Sequence, residues 1–355
     1  MPATSVDTFF ACSLMVLIVL SAMASTSKIL QPYLKNADDK NVGERYEELS
    51  KYLLLNSGEP ANWGQIGEVL PEKFGLAEMN LKEAYELDID KVTRLNSENM
   101  YALSQAQMFD SIGLHDTSCR IEIKPIFTVE TSLKATYELV DETVYQFEIS
   151  TQRHGVPVQT ELTCYIVADD HFQTNSGYSS DGCIDVNITL PNSVHGPGLL
   201  VVIARASSNS GMVSFGTHPF AHGSAEPKTP GTFLKLSPLN HSLNASILYA
   251  GINLSAAYAF SFNYSSTLTQ VAINNESVVY NIPLFLDSSP TLVVATGWND
   301  TFFFAESAAY PQIPVQIGAN LAEQTNLSNI FTYTYLVSVK STVYECAISI
   351  GGPRD

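Results

Sequence analysis

The longest apolar segment of the chain lies near its N-terminus. Residues 8–27 contain no charged side chain, and they include the run from Leu14 to Leu20. As a helix these residues span about 30 Å, which matches the hydrocarbon core of a bilayer. The pattern predicts a transmembrane anchor within residues 1–30. A cleaved secretory signal is the alternative, because Ala22-Met23-Ala24 has the small-x-small form of a cleavage site.

Two further segments have helical periodicity. Residues 36–55 place apolar side chains on one side, which predicts an amphipathic helix that ends at the Gly- and Pro-containing residues 56–60. A second helix is predicted over residues 97–112. Together with the turns between them, these segments predict an α-helical neck of residues 31–116.

From residue 117 the spacing of apolar residues changes from that of a helix to the two-residue repeat of a β-strand. Cys119 to Lys124 alternate apolar and charged side chains, which predicts a half-exposed strand. Leu199 to Ala204 have no polar side, which predicts a central strand covered on both faces. Turns are predicted at Asn175–Gly177 and Ser180–Gly182, and residues 331–350 predict a C-terminal hairpin.

The segment 216–231 is rich in Gly and Pro and predicts a linker within the β-rich part. We therefore expect a mainly β fold that follows the α-helical transmembrane and neck regions. Its parts are an immunoglobulin-like (Ig-like) β-sandwich at 117–222 and a second all-β domain at 223–355.

The charge of the chain excludes one class of partner. The net charge is −18, and no Lys or Arg occurs between Lys235 and Lys340. Such a surface repels phosphate backbones, so we expect no nucleic-acid binding.

Asparagine sequons favour an exported location. Eight of the 14 Asn from residue 187 onward begin an N-x-S/T sequence, whereas none of the eight earlier Asn does. This uneven distribution along the chain predicts an N-glycosylated outer surface, although a Ser/Thr-rich β-domain would also raise the number of sequons. Against export, four basic residues follow the apolar segment, which on the positive-inside rule favours a cytoplasmic location for the distal chain. The candidate glycosylation sites are Asn187, Asn240, Asn244, Asn253, Asn263, Asn275, Asn299 and Asn326.

Four cysteines follow the apolar segment, and three disulfide connectivities are available to them. A bridge between Cys164 and Cys183 would close a loop of about 20 residues and contribute about 3 kcal/mol. Strand parity directs Cys183 outward and places Cys119 and Cys346 on apolar faces, so free buried thiols are the alternative.

The succession of short strands between residues 144 and 204 resembles transthyretin-like and immunoglobulin-like carrier domains of surface proteins. The resemblance includes His154–Val158, Tyr178–Gly182 and Leu190-Pro191. It implies a β-sandwich of about seven strands with a role in support or adhesion. Fold alone does not establish function.

The N-terminal part resembles archaeal pilin-like surface proteins of unknown function. The matching stretches are Leu54–Gly64, Phe74–Ala77 and Leu87–Leu95. In pilins an acidic residue near the N-terminus pairs with the amine of a neighbouring subunit, so the resemblance implies an assembly contact at Asp7. It also implies the lipid bilayer and other pilin-like subunits, or copies of this chain, as partners.

Patterns of catalytic chemistry are missing from the sequence. It contains no phosphate-binding glycine loop, C-x-x-C, H-E-x-x-H or G-x-S-x-G. His218 and His222 have the spacing of helical metal ligands, but Pro219 lies between them, and Asp169–His171 are expected at a solvated loop tip. We therefore expect neither catalysis nor a bound cofactor or metal.

The expected function is that of a membrane-anchored extracellular surface protein with a structural or adhesive role. The alternative is a tethered cell-surface module that binds a carbohydrate or a peptide. Of the two tryptophans, Trp63 is expected to pack within its turn and Trp298 to lie in a loop.

Overall fold

A computed structural model divides the chain into two units, Met1–Lys51 and Tyr52–Asp355. Strands far outnumber helices, so the prediction of a mainly β chain is confirmed. The residues that the structure describes are 14–17, 19–21, 23, 41–80, 83–114, 117–223, 225–274, 276–284, 290–299, 302–321 and 327–353.

The first unit contains the predicted anchor, of which the structure describes a part. Residues 14–17, 19–21 and 23 are helical, whereas Asp7 and most of the anchor lie outside the described residues. Among the described helices, none combines the length and the apolar character needed to span a bilayer. The described apolar side chains of this segment are exposed, namely Leu14, Met15, Val16, Leu17, Val19, Leu20 and Met23.

Helix α1 comprises residues 41–55 and ends where the sequence predicts. The chain then turns, and Gly58 has the left-handed φ of +75° that favours glycine. In the second unit Leu53 and Leu54 of this helix are fully buried. The amphipathic character of the segment thus places apolar side chains in the core.

Two short helices follow in the neck. Helix α2 (Ile89–Thr93) is capped by Asp88, and helix α3 (Gln105–Ile112) by Ser104 in a capping box. The prediction of one helix over 97–112 was too long, because residues 97–104 form turns and the extended Ser104 starts the helix instead.

Twenty-one strands are described. In chain order they are β1 (Glu86–Leu87), β2 (Ser118–Pro125), β3 (Thr128–Glu138), β4 (Glu142–Arg153), β5 (Val156–Pro157), β6 (Thr160–Ala168), β7 (His171–Ser179), β8 (Cys183–Pro191), β9 (Gly198–Ala206), β10 (Val213–Phe220), β11 (Leu234–Leu239), β12 (Ser242–Ile247), β13 (Ile252–Ser261), β14 (Tyr264–Thr267), β15 (Thr269–Ile273), β16 (Ser277–Asn281), β17 (Thr291–Asn299), β18 (Phe302–Tyr310), β19 (Val315–Gly318), β20 (Leu327–Val339) and β21 (Thr342–Pro353).

The first two sheets pack face to face. One sheet contains β3, β4 and β8 with β5 beside the end of β4, and the other has the order β10-β9-β6-β7. Phe147 and Ile149 of β4 meet Cys164, Ile166 and Val202 of the opposite sheet in one apolar core. Alternation of buried and exposed side chains along β4 and β8 produces this layer.

One predicted turn in this region is wrong. Asn175–Gly177 lie within β7, where Asn175 is opposite Cys164 and Gly177 is opposite Leu162. Pairing along the whole length of β6 outweighs the local turn preference of the Asn-Ser-Gly sequence. The predicted turn at Ser180–Gly182 is confirmed, and β8 begins directly after it.

Strand β9 is covered on both faces, as its apolar run predicts. Leu200 and Val202 belong to the core described above. Leu199 and Val201 face a second core, to which Phe260 of β13 contributes. The sheet of β10-β9-β6-β7 is therefore the middle layer between two others.

The third layer is a sheet of order β14-β13-β17-β18. A fourth sheet, β11-β12-β16-β15, contacts it where Phe233, which precedes β11, stacks on Phe304 of β18 at 4.7 Å between ring centroids. The carboxylate of Glu306 accepts hydrogen bonds from the amides of Gly231, Phe233 and Leu234 and so fixes this junction.

The fifth sheet has the order β1-β20-β21-β2-β19. Strands β20 and β21 form the predicted C-terminal hairpin, and β1 pairs parallel to β20. This sheet joins strands from the predicted neck, the first predicted β-domain and the second. The residues from Tyr52 onward therefore form one compact unit across the predicted boundaries.

Candidate functional site

The acidic and basic residues in and beside α2 form a buried network rather than an open site. Asp88 accepts hydrogen bonds from the amides of Asp90 and Lys91 at 2.9 and 3.0 Å. The Lys91 ammonium donates to the carbonyls of Ser57 and Ala77 at 2.8 and 2.7 Å. Burial lowers the pKa of Lys91, and the neighbouring Asp88 opposes that shift.

Arg94 organises the loop that carries Trp63. Its guanidinium donates to the carbonyls of Ile66, Gly67 and Val69 at 2.8 to 3.0 Å and also to that of Trp63. Its Nε donates to the carbonyl of Tyr101 at 2.9 Å. Nη1 contacts three of these carbonyls with two N–H groups, so one N–H is shared, and the planar guanidinium bonds all five carbonyls from one side chain.

Trp63 packs within its turn, as the sequence predicts. The side chain is fully buried, and its Nε1 donates to the carbonyl of Gly75 at 3.1 Å. Gly64 allows the turn to approach α2, since a Cβ there would lie 2.5 Å from the Lys91 side chain. The two segments on which the N-terminal resemblance depends, Leu54–Gly64 and Leu87–Leu95, thus contact each other. Here they stabilise the fold.

Asp90 links α2 to the β-rich part of the same unit. Its carboxylate accepts hydrogen bonds from the Tyr310 hydroxyl at 2.8 Å and the Asn240 amide at 2.7 Å. Burial raises the pKa of Asp90 to about 6 in spite of both hydrogen bonds. The same burial raises the pKa of Tyr310, and the adjacent Asp90 adds to that effect. With both partners committed to each other, this pair stabilises the fold.

An open cleft lies where three segments of the second unit meet. The loop after β8 contributes His195, the segment after β10 contributes Glu226 and Lys228, and β18 contributes Phe302 and Phe303. The cavity has a volume of about 530 Å³. We call these five residues and the space between them the aromatic cleft.

Two planar contacts line the aromatic cleft. The imidazole of His195 stacks on Phe303 with 4.6 Å between ring centroids and 14° between planes. The Lys228 ammonium lies 5.0 Å from the centre of the Phe302 ring, in cation–π geometry. Phe302 is nevertheless 51% exposed, so an aromatic surface is available in the cleft.

The floor of the aromatic cleft is rigid. His222 is buried, with Nδ1 2.7 Å from the Tyr145 hydroxyl and Nε2 3.1 Å from the carbonyl oxygen of Pro191. A carbonyl only accepts, so Nε2 carries the proton of this contact. Gly196 packs against His222 so closely that a Cβ would lie 2.4 Å from the His222 carbonyl oxygen. His222 is thus a structural residue and does not offer a base to the cleft.

Polar groups of the aromatic cleft are available to a ligand. Across the described part of the chain, no residue forms a hydrogen bond or an ion pair with the side chains of His195, Glu226 or Lys228. All three are exposed. An acceptor, a donor and an imidazole therefore face the cavity beside aromatic surface, an arrangement typical of binding sites.

The predicted glycosylation sites differ in exposure. Asn187, Asn240, Asn253 and Asn263 are exposed, whereas Asn244 and Asn299 are half-buried. An exposed Asn amide is what attachment of a glycan requires. The two remaining sites, Asn275 and Asn326, lie outside the described residues.

The predicted Cys164–Cys183 bridge is not formed, and the four cysteines within the described ranges are free. Cys164 of β6 is buried in the first core, whereas Cys183 is exposed at the start of β8. Cys119 and Cys346 are buried free thiols, which is the alternative that strand alternation predicts for them. Burial raises the pKa of each to about 12. Parity also directs Cys183 outward correctly.

The other candidate residues are not brought together. His218 lies on β10, where it contacts Phe147, and it does not join His222 in a metal site. No group of three acidic, His or Cys ligands that could hold a metal ion occurs among the residues placed by the structure. Trp298, expected in a loop, lies near the end of β17 and is 40% exposed.

Sequence reasoning did not identify the residues of the aromatic cleft, nor Asp90, Tyr310 or Glu306. A signal existed for Asp90, since it lies with three other charged residues, Asp88, Lys91 and Arg94, among the apolar residues of segment 87–95. The cleft gave no signal, because its residues come from three segments that only the fold brings together.

Comparisons with known proteins do not identify a family. No family model matches the chain, and no curated protein matches it. Solved structures with partial similarity include HBP35 of Porphyromonas gingivalis (11% identity, TM-score 0.20, 52% of this chain and 63% of that chain) and red sea bream transglutaminase (9% identity, TM-score 0.20, 57% of this chain and 32% of that chain). The chain covers less than two thirds of either structure, and at these TM-scores neither similarity supports an argument about fold or function.

Proposed function

We propose that this chain is a single-pass, membrane-anchored extracellular surface protein with a structural or adhesive role. The observation that carries the proposal is the exposure of the described apolar side chains among residues 14–17, 19–21 and 23. A helix segment with seven exposed large apolar side chains is stable when lipid or the helices of other subunits cover it. Residues 8–27, which include this segment, contain no charged side chain.

The β-rich unit is suited to such a role. Its sheets pack in successive layers, and the outer strands β4 and β8 alternate buried with exposed side chains. In our proposal the sheets between residues 128 and 220 form a sandwich of the Ig-like or transthyretin-like class, and the exposed sequon asparagines carry glycans. A rigid, glycosylated body of this kind supports contacts outside the cell.

The N-terminal resemblance adds a proposal about assembly. In a pilin-like subunit the apolar segment packs with those of neighbouring subunits, and Asp7 pairs with an amine of the next chain. Replacing Asp7 with Ala then reduces complex formation and leaves membrane retention intact.

Carbonate extraction of membranes tests the anchor. A peripheral protein is released by carbonate, whereas the wild-type chain is expected in the pellet. Leu17→Lys places a charge in the apolar segment at a cost of about 3 kcal/mol and is expected to lower the pelleted fraction. Val140→Lys is the control, since Val140 is 93% exposed in the second unit. Complete release of the wild type, or equal pelleting of both variants, contradicts the anchor.

A second candidate function is ligand binding at the cell surface, and the aromatic cleft favours it. A cavity of about 530 Å³ with exposed aromatic surface and unpaired polar groups is compatible with a small ligand. The two functions are compatible, because an adhesive surface protein also needs a binding site.

A further inference from the structure

We propose that the aromatic cleft binds a neutral saccharide, and this inference rests on the second function above, ligand binding at the surface. Nothing in the chemistry of the cleft requires a bond to form or break. The ligand class follows from three features, which are the flat apolar surfaces, the unpaired polar groups and the charge of the chain.

The flat surfaces suit the C–H face of a pyranose ring. Phe302 is half exposed, and His195 is held flat on Phe303 while remaining exposed. A sugar ring presents several C–H groups on one face, and these pack against the negative face of an aromatic ring. The cleft thus offers flat surface on β18 and on the loop after β8.

The polar groups suit hydroxyls. The Glu226 carboxylate only accepts hydrogen bonds, and the Lys228 ammonium only donates them. A hydroxyl does both, so neighbouring hydroxyls of one sugar can bond to each group in turn. Lys228 is already held near the Phe302 ring, which places its donors beside the apolar surface.

Charge favours a neutral saccharide over an acidic one. Glu226 and Lys228 offset each other within the cleft, whereas the chain as a whole carries a net charge of −18. An anionic sugar would approach a surface of its own sign. The floor of His222 and Gly196 is fixed before a ligand arrives, which reduces the entropy lost on binding.

Isothermal titration of the full chain in detergent with maltotriose, mannotriose and chitotriose tests the proposal. At least one of the three is expected to bind, and Phe302→Ala and Glu226→Gln are each expected to weaken that binding about tenfold. Tyr178→Ala is the matched control, because Tyr178 is an equally exposed aromatic residue on β7, outside the cleft. Its affinity is expected to equal that of the wild type. Glu226→Gln preserves the shape of the side chain, and thermal unfolding of each variant shows that it is folded.

Other outcomes overturn the proposal in distinguishable ways. Absence of binding to all three saccharides contradicts it, and so does binding that neither Phe302→Ala nor Glu226→Gln weakens. A tryptic digest of serum albumin is titrated in parallel. If peptides bind, Phe302→Ala weakens that binding and the saccharides do not bind, then the proposal of a saccharide ligand is wrong. The ligand-binding function then stands. If neither class binds, both fail, and the membrane-anchor proposal is unaffected because carbonate extraction tests it separately.

Discussion

The Tyr310 hydroxyl donates a hydrogen bond of 2.8 Å to the carboxylate of Asp90, across a sequence separation of 220 residues. Both side chains are buried, and Asp90 also accepts from the amide of Asn240. This contact joins helix α2 to the end of strand β18. It helps to hold α2 and the β-rich part together in one compact unit.

Tyr310→Phe is expected to destabilise the fold. The change keeps the ring and removes one donor to a buried carboxylate, a type of hydrogen bond that contributes about 1.5 to 3 kcal/mol. It also removes the acceptor of the His241 amide, which lies 3.3 Å from the Tyr310 hydroxyl. Urea unfolding of the wild type and the variant measures the loss. Tyr178→Phe is the control, since Tyr178 is exposed on β7. Equal losses in the two variants would show that the bond to Asp90 does not stabilise the protein.

Asp90 predicts a pH dependence of stability. Burial raises its pKa from 3.8 to about 6, so between these values the folded state binds more protons than the unfolded state. The contribution of Asp90 to the free energy of unfolding therefore falls as pH rises from about 4 to about 6, by about 3 kcal/mol in total.

Asp90→Asn removes this titration while keeping an oxygen acceptor. We expect the wild type to lose stability relative to Asp90→Asn between pH 4 and pH 6, and the difference to stay constant above about pH 7. Urea unfolding at successive pH values gives the comparison. A difference that is independent of pH, or one that changes in the opposite direction, would contradict the raised pKa.

Arg94→Lys is expected to cost about 3 kcal/mol or more. Lysine offers three donors from one nitrogen, so it cannot satisfy the carbonyls of the Trp63 loop and of Tyr101 together. The Trp63 carbonyl is buried and the other carbonyls are partly buried, so those that lose their donor are destabilising. Arg153→Lys is the control, because Arg153 is exposed at the end of β4. Unfolding midpoints that shift equally in both variants would exclude this role of Arg94.

The thiols predict a labelling pattern. In a Cys12→Ser background, a maleimide is expected to modify Cys183 in the native protein, because that thiol is exposed. Cys119, Cys164 and Cys346 are buried and are expected to react only after unfolding. Peptide mass spectrometry locates the label. An unlabelled Cys183 that is joined to Cys164 in the non-reduced digest would restore the disulfide that the sequence suggests.

The spacing of apolar residues predicted which side chains are buried better than it predicted which strands pair. It correctly placed β9 between two cores, and it directed Cys183 outward and Cys119 inward. These results depend only on which face a side chain occupies, and alternation specifies that face.

Long-range relationships were not available from the sequence. The pairing of β1 with β20, the strand conformation of Asn175–Gly177 and the aromatic cleft all depend on which distant segment lies alongside. Local propensity describes a segment without its partners, and tertiary contacts then override it. The buried bonds of Glu306 and Asp90 belong to the same class, since their donors are 72 or more residues away.

Mass spectrometry of the native protein, recovered from the membrane fraction, tests the central claim most directly. We expect peptides that include residues 8–27, together with glycan on at least one of the exposed asparagines Asn187, Asn240, Asn253 and Asn263. A mature chain that begins at Ser25, or unmodified asparagines in a protein found only in the soluble fraction, would contradict an anchored, glycosylated surface protein.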